Sequence, residues 1–164
     1  ILYCYWKMIR ETLTCIFPSL NARKDSAKYP AIVAGLDLLC NVRENRLVIS
    51  LVNIEEELSL RNFSCINNLE APLQHFNFFI LITAHFNCSN YLESLECISW
   101  IISFFHQNPV FTSLHSNFPE HLIEKFTVEF CAIDLSKMAM LWQAIGNHYL
   151  PSAVFKVQLQ YLPK

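Results

Sequence analysis

The run from Phe76 to Phe111 constrains this chain most, because it carries two incompatible hydrophobic periods back to back. Phe76, Phe78, Ile80, Ile82, Ala84 and Phe86 alternate at period two and are all apolar, which predicts a strand with one fully buried face. The other face, His75, Asn77, Phe79, Leu81, Thr83 and His85, is apolar in its middle and polar at its ends. A strand of this kind belongs at the centre of a sheet. After Asn87-Cys88-Ser89-Asn90 the period changes to 3.6 residues. Asn90 is placed to cap a helix, with Glu93 at the capping-box position. Tyr91, Leu95, Ile98, Ile102 and Phe105 form the apolar stripe of that helix, and Glu93, Glu96, Ser103 and Gln107 form its polar face. Asn108-Pro109 ends it. Trp100 breaks the pattern by projecting from the polar face, with Phe104 at the edge of the same face.

Around this unit the remaining elements are shorter. Ile9, Leu13, Ile16 and Leu20 recur at helical spacing, and Pro18 stops that helix near Phe17. Residues 21–29 and 62–71 are polar loops, 41–45 is a turn, and 30–40 reads as extended structure without a clear period. Leu47 to Ile54 is a β-branched strand. Val110 to Thr112 has room for a short strand, and Pro119 suits the first position of a helical turn. Phe126, Val128, Phe130 and Ala132 alternate with polar residues in a further strand. Asp134 then opens a helix whose Met138, Leu141, Trp142 and Ile145 share one face, which places Trp142 in the core, and Gly146 closes it. Phe155, Val157, Leu159 and Tyr161 alternate with Lys156, Gln158 and Gln160 in a last strand. The expected fold is a two-layer α+β domain: a mostly antiparallel sheet of four to five strands with about three helices packed on it. It spans residues 8–164 as one domain, with 1–7 a possible extension upstream of a natural start at Met8.

Composition removes several function classes. A net charge of −2 without a basic block argues against nucleic acid as a partner. Two glycines, Gly35 and Gly146, are too few for a phosphate-cradling loop. Seven cysteines, an odd number with no CxxC spacing, argue against a disulfide framework or a zinc knuckle and for reduced thiols in a cytosolic setting. No apolar run is long enough for direct membrane insertion as a helix, and residues 1–7 lack signal-peptide layout.

The search for chemistry yields no catalytic, metal-binding or cofactor-binding set. His75 and His85 share a strand face but lie about 33 Å apart along it, and His106, His115, His121 and His148 have no ligand spacing. Glu55, Glu56 and Glu57 read as a solvated strand end or as partners of Arg61 and Arg46, with a cation site or general base as the weaker alternative. No serine occupies a nucleophile elbow, and Cys88 and Cys131 lack a matching His and Asn arrangement.

Four segments together carry a resemblance: N-I-E-E-E after the strand at 47–54, the Asn90-Tyr91 helix start, F-F-x-x-x-P-V-F-T over 104–112, and L-W-x-x-x-G-x-x-Y-x-P-S over 141–152. Over roughly residues 8–162 the chain resembles the amino-terminal domain of the cap, or tail-terminator, family of phage-tail-like contractile injection systems, of the antifeeding-prophage and virulence-cassette kind. Two departures stand out: Asn77 lies where the family strand is usually more apolar, and residues 21–45 fit poorly. The resemblance implies a sheet with helices packed on it and a non-enzymatic particle component in the cytoplasm. It implies a six-fold ring that caps inner tube and sheath at the end distal to the baseplate. Some relatives carry a further carboxy-terminal domain, and this chain stops just after its last strand, so the core terminator domain alone is expected. A cap needs an interaction surface, and Trp100 with Phe104 is the candidate interface. Two other classes compete: a monomeric adaptor or chaperone binding peptide on a sheet edge, and, behind it, a small enzyme with an unfamiliar site.

Overall fold

Residues 9–16, 30–35, 45–56, 74–112, 123–146 and 148–161 are described in a computed structural model of the chain. The predicted loops at 21–29 and 62–71, residues 41–44 of the predicted turn at 41–45, Pro18, Leu20, Arg61, Pro119, His115 and His121 lie outside these residues. Helix α1 covers residues 9–16. Then come β1 (Ala31–Val33), β2 (Arg46–Glu56), β3 (Gln74–His85), α2 (Tyr91–Gln107), β4 (Val110–Phe111), β5 (Ile123–Phe130), α3 (Leu135–Ile145) and β6 (Ser152–Tyr161).

The strands form one six-stranded sheet in the order β1-β2-β3-β6-β5-β4. The expected four to five strands become six because the aperiodic 30–40 segment supplies β1 and the stretch after Pro109 supplies β4. Both are short edge strands, β1 pairing with Leu47–Ile49 of β2 and β4 with Phe126 and Thr127 of β5. Pairing is antiparallel except that β1 runs parallel to β2. β3 is central, as its two-faced pattern requires, with β2 on one side and β6 on the other.

Alternation along β3 and β6 sends side chains to two different cores. Phe78, Ile80, Ile82, Ala153, Phe155 and Val157 join Leu13 and Ile16 of α1 and Ile98, Ile101 and Phe105 of α2. Their neighbours Leu81 and Val154 instead join Val48 and Trp142 of α3. The predicted two-layer arrangement is therefore corrected: α1 and α2 cover one face of the sheet, and α3 covers part of the other. The apolar middle of the second face of β3, Phe79 and Leu81, is the sequence feature that calls for this cover.

The larger core is dominated by phenylalanine, of which the chain has 13. The Phe105 ring lies 4.8 Å from Phe155, and Phe111 stacks on Phe126 at 4.8 Å with 5° between ring planes. Such pairs add about 0.5–1.5 kcal/mol each beyond the burial itself.

A bulge in β2 decides where its polar end points. Leu51 pairs with Ile80 and Asn53 with Phe79, so Val52 is an extra residue. Without it, Asn53 and Glu55 would follow Leu47, Ile49 and Leu51 into the α1–α2 face. With it, Asn53 and Glu55 turn to the α3 face, opposite Phe79 and Asn77, and Ile54 takes the position opposite Phe78. Asn53 Nδ2 donates to Glu55 Oε1 at 3.1 Å.

Candidate interaction surfaces

Helix α2 starts and stops where its sequence directs, but through other bonds than expected. A 3-10 turn at Cys88–Asn90 leads into it, held by Asn90 N–H donating to the Asn87 carbonyl at 2.8 Å. Asn90 occupies the N-cap position without a side-chain cap bond, since its backbone (φ −110°, ψ 28°) continues the turn rather than extending. Its Oδ1 accepts the Ser89 hydroxyl at 3.0 Å instead. At the other end the backbone N–H and Nδ2 of Asn108 both donate to the Phe104 carbonyl, at 2.9 and 3.0 Å.

The buried side of α2 is Ser94, Ile98, Ile101 and Phe105. The predicted stripe of Tyr91, Leu95, Ile98, Ile102 and Phe105 is thus rotated by about 50° at 100° per residue. Ser94 is what the apolar count missed. Its hydroxyl donates to the Tyr91 carbonyl at 2.6 Å, so a serine goes into the core with its polar group satisfied. The rotation brings Tyr91 and Leu95 of the predicted stripe to the surface beside Leu92, with Leu92 74% exposed and Tyr91 more than half exposed. Glu96, Ser99 and Ser103 share that outer face.

Trp100 and Phe104 are both half-buried, and both side chains pack against the larger core. Their rings lie 5.7 Å apart. The Trp100 indole N–H is sealed from solvent without an acceptor among the described residues. The indole is therefore not a free-standing group on a polar face; part of its surface already belongs to the fold.

On the opposite side of the sheet, α3 begins after Asp134, whose Oδ2 accepts the Ser136 hydroxyl at 2.5 Å and makes no cap bond to the helix backbone. It ends at Gly146, whose left-handed backbone (φ 75°) lets its N–H reach the Trp142 and Gln143 carbonyls at 3.2 and 3.1 Å. Met138, Leu141, Trp142 and Ile145 face the sheet as predicted, with Trp142 buried and its ring 5.7 Å from that of Tyr149. Leu135 (82%) and Met140 (68%) are exposed, and Tyr149 is more than half exposed.

Between α3 and β2 lies an open cleft of 380 Å³ with Val52, Phe79, Cys131 and Leu141 in its walls and Glu55 and Lys137 among its polar residues. The β2 bulge is what brings Glu55 there. Arg46 cannot be its partner, as one sequence alternative had it, because the two residues sit at opposite ends of β2. No group of three or more His, Cys, Asp or Glu suited to a metal ion occurs among the described residues. Cys15, Cys97 and Cys131 are free thiols, and burial pushes Cys15 and Cys97 up to about 11. A thiol of this kind stays protonated at neutral pH and is a poor nucleophile. No described helix is long and apolar enough to cross a membrane.

Among the described residues, the surfaces of α2 and α3 carry exposed apolar side chains. The model of one family, the Pvc16 N-terminal domain, matches residues 21–162. The chain belongs to that family. The match takes in residues 21–45, where the motifs fit poorly, and leaves α1 outside it. The fold is similar to that of the PVC sheath/tube terminator of an extracellular contractile injection system in its extended state. That likeness has a TM-score of 0.62 at 16% identity and covers 95% of this chain and 57% of the other. It is also similar to the tube-terminating cap of the anti-feeding prophage, with a TM-score of 0.58 at 14% identity over 93% of this chain and 55% of the other. The chain thus spans little more than half the length of the terminators it matches. No curated protein matches it in sequence.

Proposed function

We propose that this chain is the amino-terminal part of a terminator that caps the tube and sheath of a contractile injection system. The observation that carries this reading is the fold it shares with a sheath/tube terminator and a tube-terminating cap over nearly its whole described length, within the family of the Pvc16 N-terminal domain. Its role is structural rather than catalytic. The subunit joins a homohexameric ring at the end distal to the baseplate, is assembled into the particle in the cytoplasm, and contacts inner-tube and sheath subunits. Trp100 and Phe104 border the contact surface with the half of each ring that the core leaves exposed.

The exposed side chains of α2 and α3 support this reading. Leu92, Tyr91, Leu135, Met140 and Tyr149 put apolar area into solvent on two sides of one small domain. Exposed apolar patches of this kind mark association surfaces. Light scattering on the full-length protein, with negative-stain imaging, tests the ring. Six copies in a closed ring support it. A monomer that binds neither tube nor sheath subunits contradicts it and favours the adaptor.

A further inference from the structure

Strand β2 is paired along only part of its outer edge. β1 meets it at Leu47, Val48 and Ile49, and the Ala34 N–H adds a bond to the Ile49 carbonyl. Over residues 51–56, β2 has β3 on one side and no strand on the other among the described residues. The register says which backbone groups are left over. The Ala84 N–H donates to the Pro151 carbonyl, just before β6. Ala84 and the residues that alternate with it, Ile82, Ile80, Phe78 and Phe76, therefore turn their backbone groups to β6. Their partners on β2, which include Leu51, Ile54 and Glu56, direct N–H and C=O away from β3.

Two chemistries border this open edge. Val33 and Ile54 pair with Ile49 and Phe78, so both lie on the α1–α2 side of the sheet, and both are half-exposed. Glu55 is exposed on the α3 side, and Glu56 and Glu57 follow it in sequence. Asp134 and Lys137 line the same cleft as Glu55, so the balance of charge there stays negative.

We propose that residues 51–56 of β2 accept an added strand from a different protein, one whose residues alternate between apolar and lysine or arginine. The main chain of that strand bonds to Leu51, Ile54 and Glu56, as in other cases of strand addition. Its apolar residues meet Val33 and Ile54, and its basic residues reach Glu55. The Val52 bulge confines the contact to a short strand. A second copy of this chain is the poorer occupant, because edge-to-edge pairing of two β2 strands brings two Glu55-Glu56-Glu57 runs together. The inference goes beyond the terminator reading and stands on the edge alone.

The test uses the full-length protein and two octapeptides, one alternating valine with lysine and one alternating valine with glutamate. Amide exchange is followed residue by residue by NMR. In the free protein the Leu51, Ile54 and Glu56 amides should exchange fast, while Asn53 and Glu55, bonded to β3, exchange slowly. The valine–lysine peptide at saturation should slow the three outward amides by about tenfold or more. Ile54→Pro removes one outward donor and no bond to β3, so the melting temperature should hold while peptide affinity falls about tenfold. Glu55→Lys should weaken binding by about threefold. Fast exchange of all three amides with the valine–lysine peptide present overturns the inference. So does equal protection by the valine–glutamate peptide, or slow exchange already in the free protein. Protection that rises with protein concentration alone also overturns it and assigns the edge to a second copy. None of these outcomes bears on tube length, so the terminator reading is tested apart.

Discussion

The rings of Phe105 and Phe155 lie 4.8 Å apart at 56°, and this contact joins α2 to the inner strand β6. Phe105 also meets Phe104 at 5.2 Å and Phe111 at 6.3 Å. It is the point where the outer helix, the short β4 segment and the sheet share one side chain. Phe105→Ala should cost about 3–5 kcal/mol. In a domain of this size that lowers the melting temperature by about 6–20 °C. Calorimetry of the variant checks it.

Trp142 is the buried residue of α3 in the much smaller cluster on the other face, with Met138, Leu141 and Ile145 packed around it. Its indole N–H is buried without an acceptor among the described residues. Trp142→Ala should therefore destabilise by about 2–4 kcal/mol: the cavity term is partly offset by removing an orphan donor. Trp142→Phe keeps most of the ring, removes the donor, and should stay within about 1.5 kcal/mol of wild type. Urea unfolding of both variants separates the two contributions.

Most of this architecture is legible in the residues. The period-two runs of β3 and β6 place those strands correctly, and the spacing of Met138, Leu141, Trp142 and Ile145 gives the buried side of α3. What the pattern misses is physical rather than accidental. Ser94 is buried because its hydroxyl bonds to its own helix, so counting apolar residues rotates the α2 stripe. Val52 bulges, and a one-residue insertion sends Asn53 and Glu55 to the face that simple alternation denies them. β1 and β4 are too short to show a period. The second helical layer was signalled only by Phe79 and Leu81 on the other side of β3.

For Trp100 the structure changes the expected balance between fold and assembly. From the helical pattern alone its removal would leave stability near native. Because the side chain packs on the larger core, Trp100→Ala should cost about 1–2 kcal/mol of stability. It should also weaken assembly or docking to tube or sheath, as truncation of an interface tryptophan does. Phe104→Ala should act in the same direction but less strongly on assembly. Paired melting and assembly measurements decide it; a melting change with assembly untouched would make both residues core only.

Burial raises the Cys15 and Cys97 thiols from the ordinary 9.0 to about 11. Between these values the unfolded chain has released protons that the native chain still holds. Stability is therefore complete below pH 9 and declines as pH rises toward 11. Melting scans from pH 8 to 11 should show this slope, and Cys15→Ala with Cys97→Ala should flatten it. At pH 8 roughly one native Cys97 in a thousand is a thiolate, so iodoacetamide should label it slowly until urea unfolds the chain.

On the proposed reading, this domain helps to stop a polymer from growing. Its most direct test is the length distribution of tube and sheath assembled with and without the full-length protein, measured by negative-stain electron microscopy. Particles of uniform length with a capped distal end are expected when the protein is present, and overlong tubes of scattered length when it is absent. Identical length distributions in the two preparations would contradict it.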